Sequence, residues 1–148
     1  MKTFSITSRL GAEHRATLEH LLFFNPLQGS LEHRIVETIE RYGAPDVQVR
    51  DGTLRISLGG RTDVQTIYAL SPADGGPIGV AIFVRENEER FVVVHLGVAA
   101  DYAAGGAHAE EHLLFHLVQA IRGAARRTRG VRCVDLFYGA GRVRQIPV

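Results

Sequence analysis

The chain predicts an α/β domain built on a mixed sheet. Two near-continuous apolar runs of strand length, Ile78–Val84 and Arg90–Val98, lie close together and read as the centre of a sheet covered on both faces. Segments of helical period flank them, two before and one after. No repeat or linker divides the 148 residues, so residues 1–148 are expected to form one domain.

Phe4–Thr7 is a short β-like start. From about Ala12 to Phe24 the period is helical, with Leu18, Leu21 and Leu22 on one side, and Asn25-Pro26 stops it. Ser30 caps a second predicted helix, Leu31–Tyr42, where Leu31, Ile35 and Ile39 recur at spacings of four and Gly43 and Pro45 end the run. Val47–Leu58 alternates on both sides of Asp51-Gly52, the signature of a hairpin. Thr66–Leu70 is a further short strand, and Ser71–Pro77 is made of turn residues. Ile78–Val84 and Arg90–Val98 pair antiparallel across Glu86-Asn87-Glu88-Glu89. A glycine-rich loop, Ala99–Ala107, leads into a long helix from about His108 to Thr128, closed by Gly130. Val131–Tyr138 is a strand, and Gly139–Val148 is a loop or a short edge strand.

The net charge of +1 gives no electrostatic reason to expect nucleic acid or a membrane surface as partner. No apolar run reaches the roughly 18 residues of a membrane span, and the N-terminus lacks the apolar core of a signal peptide. A cytoplasmic setting is the expectation. The single cysteine, Cys133, sits in an apolar run and reads as a buried, inert thiol rather than a nucleophile.

The order of elements resembles the GNAT superfamily, the acetyl-coenzyme A-dependent N-acetyltransferases. Asp74-Gly75-Gly76-Pro77-Ile78-Gly79 is similar to the turn into that family's third strand, and Leu96-Gly97-Val98-Ala99-Ala100-Asp101-Tyr102 to the end of its fourth. The resemblance implies a long helix between the fourth and fifth core strands and makes the Val47–Leu58 hairpin an insertion. It also implies acetyl-coenzyme A as cofactor, with the pantetheine arm along Leu96, Gly97 and Val98 and the diphosphate on the N–H groups of Gly105, Gly106, Ala107 and His108. The chain departs from the family's Gln/Arg-x-x-Gly-x-Gly/Ala loop. One register puts Ala103, Gly106 and His108 at the three positions, and the next puts Tyr102, Gly105 and Ala107 there, so neither supplies the Gln or Arg. The family's last helix and final two strands are missing or reduced to Gly139–Val148, and Tyr138 does not inherit the role of its tyrosine acid.

Chemistry narrows this further. Gly97 permits a bulge that opens the cleft, or else marks close packing of two elements. A helix N-terminus attracts anions, but no Lys or Arg occurs between Arg90 and Arg122, an interval that holds Asp101, Glu110 and Glu111. His95 is the best general-base candidate, placed by alternation with Val93 and Gly97, unless it is a structural histidine bonded within the sheet. No catalytic residue is assigned. His108, His112 and His116 are expected on one polar helix face, opposite Leu113, Leu114, Leu117, Val118 and Ile121. His108–His112 matches H-x-x-E-H, but Asp135 is the only later acid and no metal is expected. Phe115 on the polar side suggests a contact surface or homodimer. Arg122, Arg126, Arg127, Arg129 and Arg132 cap the helix dipole or meet an acidic partner. The leading expectation is direct acyl transfer from acetyl-coenzyme A to an amine acceptor; the alternative is a catalytically inactive module of the same fold serving protein contact or homodimerisation.

Overall fold

The computed structural model describes residues 4–23, 42–59, 61, 63–103, 105–136 and 144–148. The expected second helix falls within 24–41 apart from Tyr42, and so, like its Ser30 cap and like Tyr138, lies outside them.

Six strands form one mixed sheet. They are β1 (Ser5–Thr7), β4 (Gln65–Leu70), β5 (Pro77–Asn87), β6 (Arg90–Val98), β7 (Cys133–Leu136) and β8 (Arg144–Pro147), side by side in that order. All neighbours are antiparallel except β6 and β7, which run parallel because the α2 crossover (Leu113–Arg126) joins them. With the Val47–Leu58 hairpin set aside, β6 and β7 are the fourth and fifth core strands, so the long helix lies where the sequence placed it. Of the tail, Arg144–Pro147 forms an edge strand, β8.

The apolar runs of β5 and β6 are buried on both faces, and each face has its own core. On one, Leu113, Leu117, Ile121 and Ala125 of α2 pack on Ala81, Phe83, Phe91, Val93, Leu96 and Val98. Gly79 lets α2 lie close, since a Cβ there would stand 3.1 Å from Leu117 Cδ1 and 3.2 Å from Leu113 Cδ2. The expected stripe shifts accordingly: Leu114 is 38% exposed, and Ala125 takes its place in the core.

On the other face, Leu18, Leu21 and Leu22 of α1 (Arg15–Phe23) meet Val80, Ile82, Val84, Val92 and Val94. The hairpin of β2 (Pro45–Arg50) and β3 (Thr53–Leu58) forms a separate two-stranded sheet that adds Val47, Leu54, Ile56 and Leu58 to the same core. Its turn holds Asp51 and Gly52 at positive φ (53° and 76°), as a tight hairpin of right-handed strands demands. Leu54 N–H donates to the Leu10 carbonyl and Arg15 Nη2 to the Val47 carbonyl, both at 2.9 Å, so the hairpin is fixed beside α1.

Candidate functional site

β6 carries one irregularity, and it decides where His95 points. Ile82 opposes His95 and Phe83 opposes Val93, so Val94 is an extra residue in the ladder. The bulge is therefore at Val94, not at Gly97, which pairs regularly with Val80. One extra residue resets the alternation of side chains. His95 consequently shares a face with Val92 and Val94, toward α1, and lies opposite Val93; simple alternation gave the reverse. There it is 6% exposed, and its ring hydrogen-bonds the backbone of Leu22. Nε2 is buried without a hydrogen-bond partner among the described residues. Burial lowers the pKa to about 4, so the imidazole is neutral at pH 7.

Leu96 and Val98 turn their side chains into the α2-side core, each 2% exposed. The Ala99 N–H donates to the Ile78 carbonyl at 2.8 Å, extending the β5–β6 ladder past the strand end.

Beyond β6 the chain does not pass straight into the helix. It makes a 3-10 turn at Ala100–Tyr102, reverses through Gly105 at φ +85°, and makes a second 3-10 turn at Ala109–Glu111. His112 is left-handed (φ 52°), and α2 starts only at Leu113. The helix is thus five residues shorter at its start than its sequence pattern implied. A left-handed residue cannot continue a right-handed helix, and the loop's own hydrogen bonds hold the preceding residues elsewhere.

Those bonds bear directly on the expected diphosphate cradle. Gly106 N–H donates to the Ala103 carbonyl at 2.9 Å and His108 N–H to the Asp101 carbonyl at 2.6 Å. Two of the four predicted donors are committed inside the loop. A Cβ on Gly106 would stand 2.5 Å from the Asp101 carbonyl oxygen and closer still to that of Ala100. The glycine thus serves the packing of the loop on itself. The Glu111 carboxylate, 8% exposed, pairs with His108 Nδ1 at 3.2 Å, and the His108 ring stacks on Tyr102 at 5.0 Å. Burial, then Glu111 and Asp101, raises the Tyr102 pKa, which marks the negative character of this corner. Free N–H groups and positive potential are what hold a diphosphate. Here two of the four N–H groups are committed and a carboxylate stands beside them, a poor match to that group.

The sequence flagged the acids but not this closure. The acceptors at Ala103 and Asp101 are main-chain carbonyls, for which residue type carries no signal.

The three histidines do not share a helix face, because His108 and His112 precede the helix. His116 lies within it, and its ring meets Phe4 at 5.4 Å. The H-x-x-E-H spacing therefore has no helical geometry behind it. Asp135, the other acid considered, is engaged by Arg90 Nε at 3.2 Å. Cys133 is half-buried rather than buried, and its Sγ accepts from Gln145 Nε2 at 3.3 Å. In the arginine group, Arg122 Nε donates to the Pro147 carbonyl at 2.9 Å, and the Arg129 carbonyl accepts from Arg85 Nη2 at 2.9 Å. Among the described residues no helix is long and apolar enough to cross a membrane.

No family model matches the chain, and no curated protein matches its sequence. Solved structures do match. An acetyltransferase from Streptococcus agalactiae superposes with a TM-score of 0.55 at 15% identity, over 92% of this chain and 73% of that one. Nourseothricin acetyltransferase superposes with a TM-score of 0.50 at 15% identity, over 91% and 73%. The fold is that of the GNAT acetyltransferases, as the resemblance of Asp74–Tyr102 implied.

Proposed function

We propose that this chain is a GNAT-fold module that works through protein contact rather than by acyl transfer from acetyl-coenzyme A. The observation that carries this reading is the closed loop. With Gly106 and His108 N–H groups bonded to Ala103 and Asp101, a diphosphate must break two native hydrogen bonds to use those donors. The loop is partly exposed, so each bond broken costs about 0.5–1.5 kcal/mol net, and the Glu111 carboxylate adds repulsion.

A second reading keeps the chemistry of the fold: transfer of an acyl group from acetyl-coenzyme A to an amine, with Leu96–Val98 along the pantetheine and Gly105–His108 at the diphosphate. What favours it is the unpartnered Nε2 of His95 beside the β6 bulge, a neutral acceptor able to take a proton from an attacking amine. Its pKa of about 4 makes it a weak base for that task.

Thermal denaturation with increasing acetyl-coenzyme A separates the two. A ligand at 100 times its Kd adds about 2.7 kcal/mol to stability. The contact reading expects no stabilisation at millimolar cofactor. A saturable rise in Tm, with thiol release in the presence of amines, would establish the second reading instead.

A further inference from the structure

We infer that the outward face of α2 binds the same face of a second copy of this chain, antiparallel, with Phe115 of each copy seated over Gly123 of the other. This names the partner in the contact reading above and rests on it.

Phe115, Gln119, Gly123 and Arg126 recur at spacings of three and four, opposite the core stripe of Leu113, Leu117, Ile121 and Ala125. Phe115 is 58% exposed, the most exposed large apolar side chain among the described residues. Gly123 supplies the complementary gap: beyond its chain neighbours and its own helix backbone, a Cβ there would meet, among the described residues, Arg127 Nη1 at 3.4 Å and nothing else within 4 Å. Phe115 and Gly123 are two turns apart, about 12 Å along the axis. Two antiparallel helices crossing at Gln119 therefore bring each Phe115 onto the partner's Gly123 in one isologous contact, an aromatic anchor in a recess made twice by symmetry.

Charge selects the antiparallel orientation. The loop before α2 carries Asp101 and Glu111, with no Lys or Arg between Arg90 and Arg122, whereas Arg126 and Arg127 lie at the helix end. Antiparallel pairing sets those arginines beside the second copy's acidic loop and opposes the two helix dipoles. Parallel pairing would set arginine against arginine. A helix of 14 residues is about 21 Å long. A contact of that length lies toward the small end of specific interfaces, so association is concentration-dependent.

Sedimentation velocity of the full chain from about 1 to 200 µM tests this, a range that brackets micromolar affinity. The expected result is a monomer–dimer shift that Phe115→Ser and Gly123→Gln each weaken at least tenfold. Gly123→Gln replaces a poor helix former with a good one, so its loss of dimer does not stem from a weakened helix. For the register, Gln119→Cys in a Cys133→Ser background is expected to form a disulfide-linked dimer on mild oxidation, and adding Phe115→Ser to suppress it. A monomer at every concentration, a dimer indifferent to both substitutions, or no Gln119→Cys cross-link would overturn the inference. Because the coenzyme titration is a separate measurement, a monomer that ignores the cofactor refutes only the dimer. Cofactor binding refutes only the contact reading.

Discussion

Replacing Gly106 by alanine tests whether the loop is closed as described. The new Cβ would sit 2.5 Å from the Asp101 carbonyl oxygen and closer to that of Ala100. Both are main-chain atoms that cannot swing aside as the end of a long side chain can. Overpacking of this kind costs about 1–3 kcal/mol. For a domain near 150 residues, each kcal/mol lowers Tm by about 2–4 °C. Gly106→Ala is therefore expected to melt about 2–12 °C below the parent. Gly105→Asn is the control: Gly105 is at φ +85° with nothing within 4 Å of a Cβ, and asparagine tolerates the left-handed region. It keeps some strain from the positive φ but adds no clash, so it should melt above Gly106→Ala. Paired urea and thermal denaturation would decide the matter. A Gly106→Ala protein within about 0.5 kcal/mol of the parent, the usual range for surface substitutions away from special features, would show that the loop stands open and refute the closed-cradle argument.

Other consequences concern the two cores. The folded pKa of His95, about 4, lies below the unfolded value of 6.5, so between these values the unfolded chain holds the extra proton. Stability from this group is full above pH 6.5 and falls as pH drops toward 4, by on the order of 3 kcal/mol in all. Urea denaturation from pH 4 to 7.5 should show that slope, and His95→Gln should flatten it. Leu117→Ala empties a fully buried site against Gly79 and should cost about 2–5 kcal/mol in chemical denaturation. If it costs less than 1 kcal/mol, α2 does not pack on β5 as described.

Much of the architecture was legible because it follows from periodicity. The alternation of Val47–Leu58 around Asp51-Gly52 gave the hairpin, and the apolar runs of β5 and β6 gave the doubly covered sheet centre. What escaped was set by main-chain detail. The bulge at Val94 turns His95 to the opposite face, yet nothing in Val-Val-Val-His distinguishes one valine as extra. The start of α2 escaped because His108–His112 has helical composition, while a left-handed His112 and two 3-10 turns, held by carbonyls of Ala99 and Ala100 and of His108 and Ala109, determine its path. The acidic character of that corner was readable from Asp101 and Glu111. That the glycine loop folds onto itself was not, since Ala-Ala-Gly-Gly-Ala describes an open anion cradle equally well.

The most direct test is the behaviour of two amide protons. In amide exchange and two-dimensional NMR of the free protein, Gly106 and His108 N–H are predicted to be protected by the Ala103 and Asp101 carbonyls. They are also predicted to hold their positions when coenzyme A is added to millimolar concentration. Fast exchange of both amides in the free protein, followed by saturable shifts with coenzyme A, would contradict the account and restore the loop to diphosphate binding.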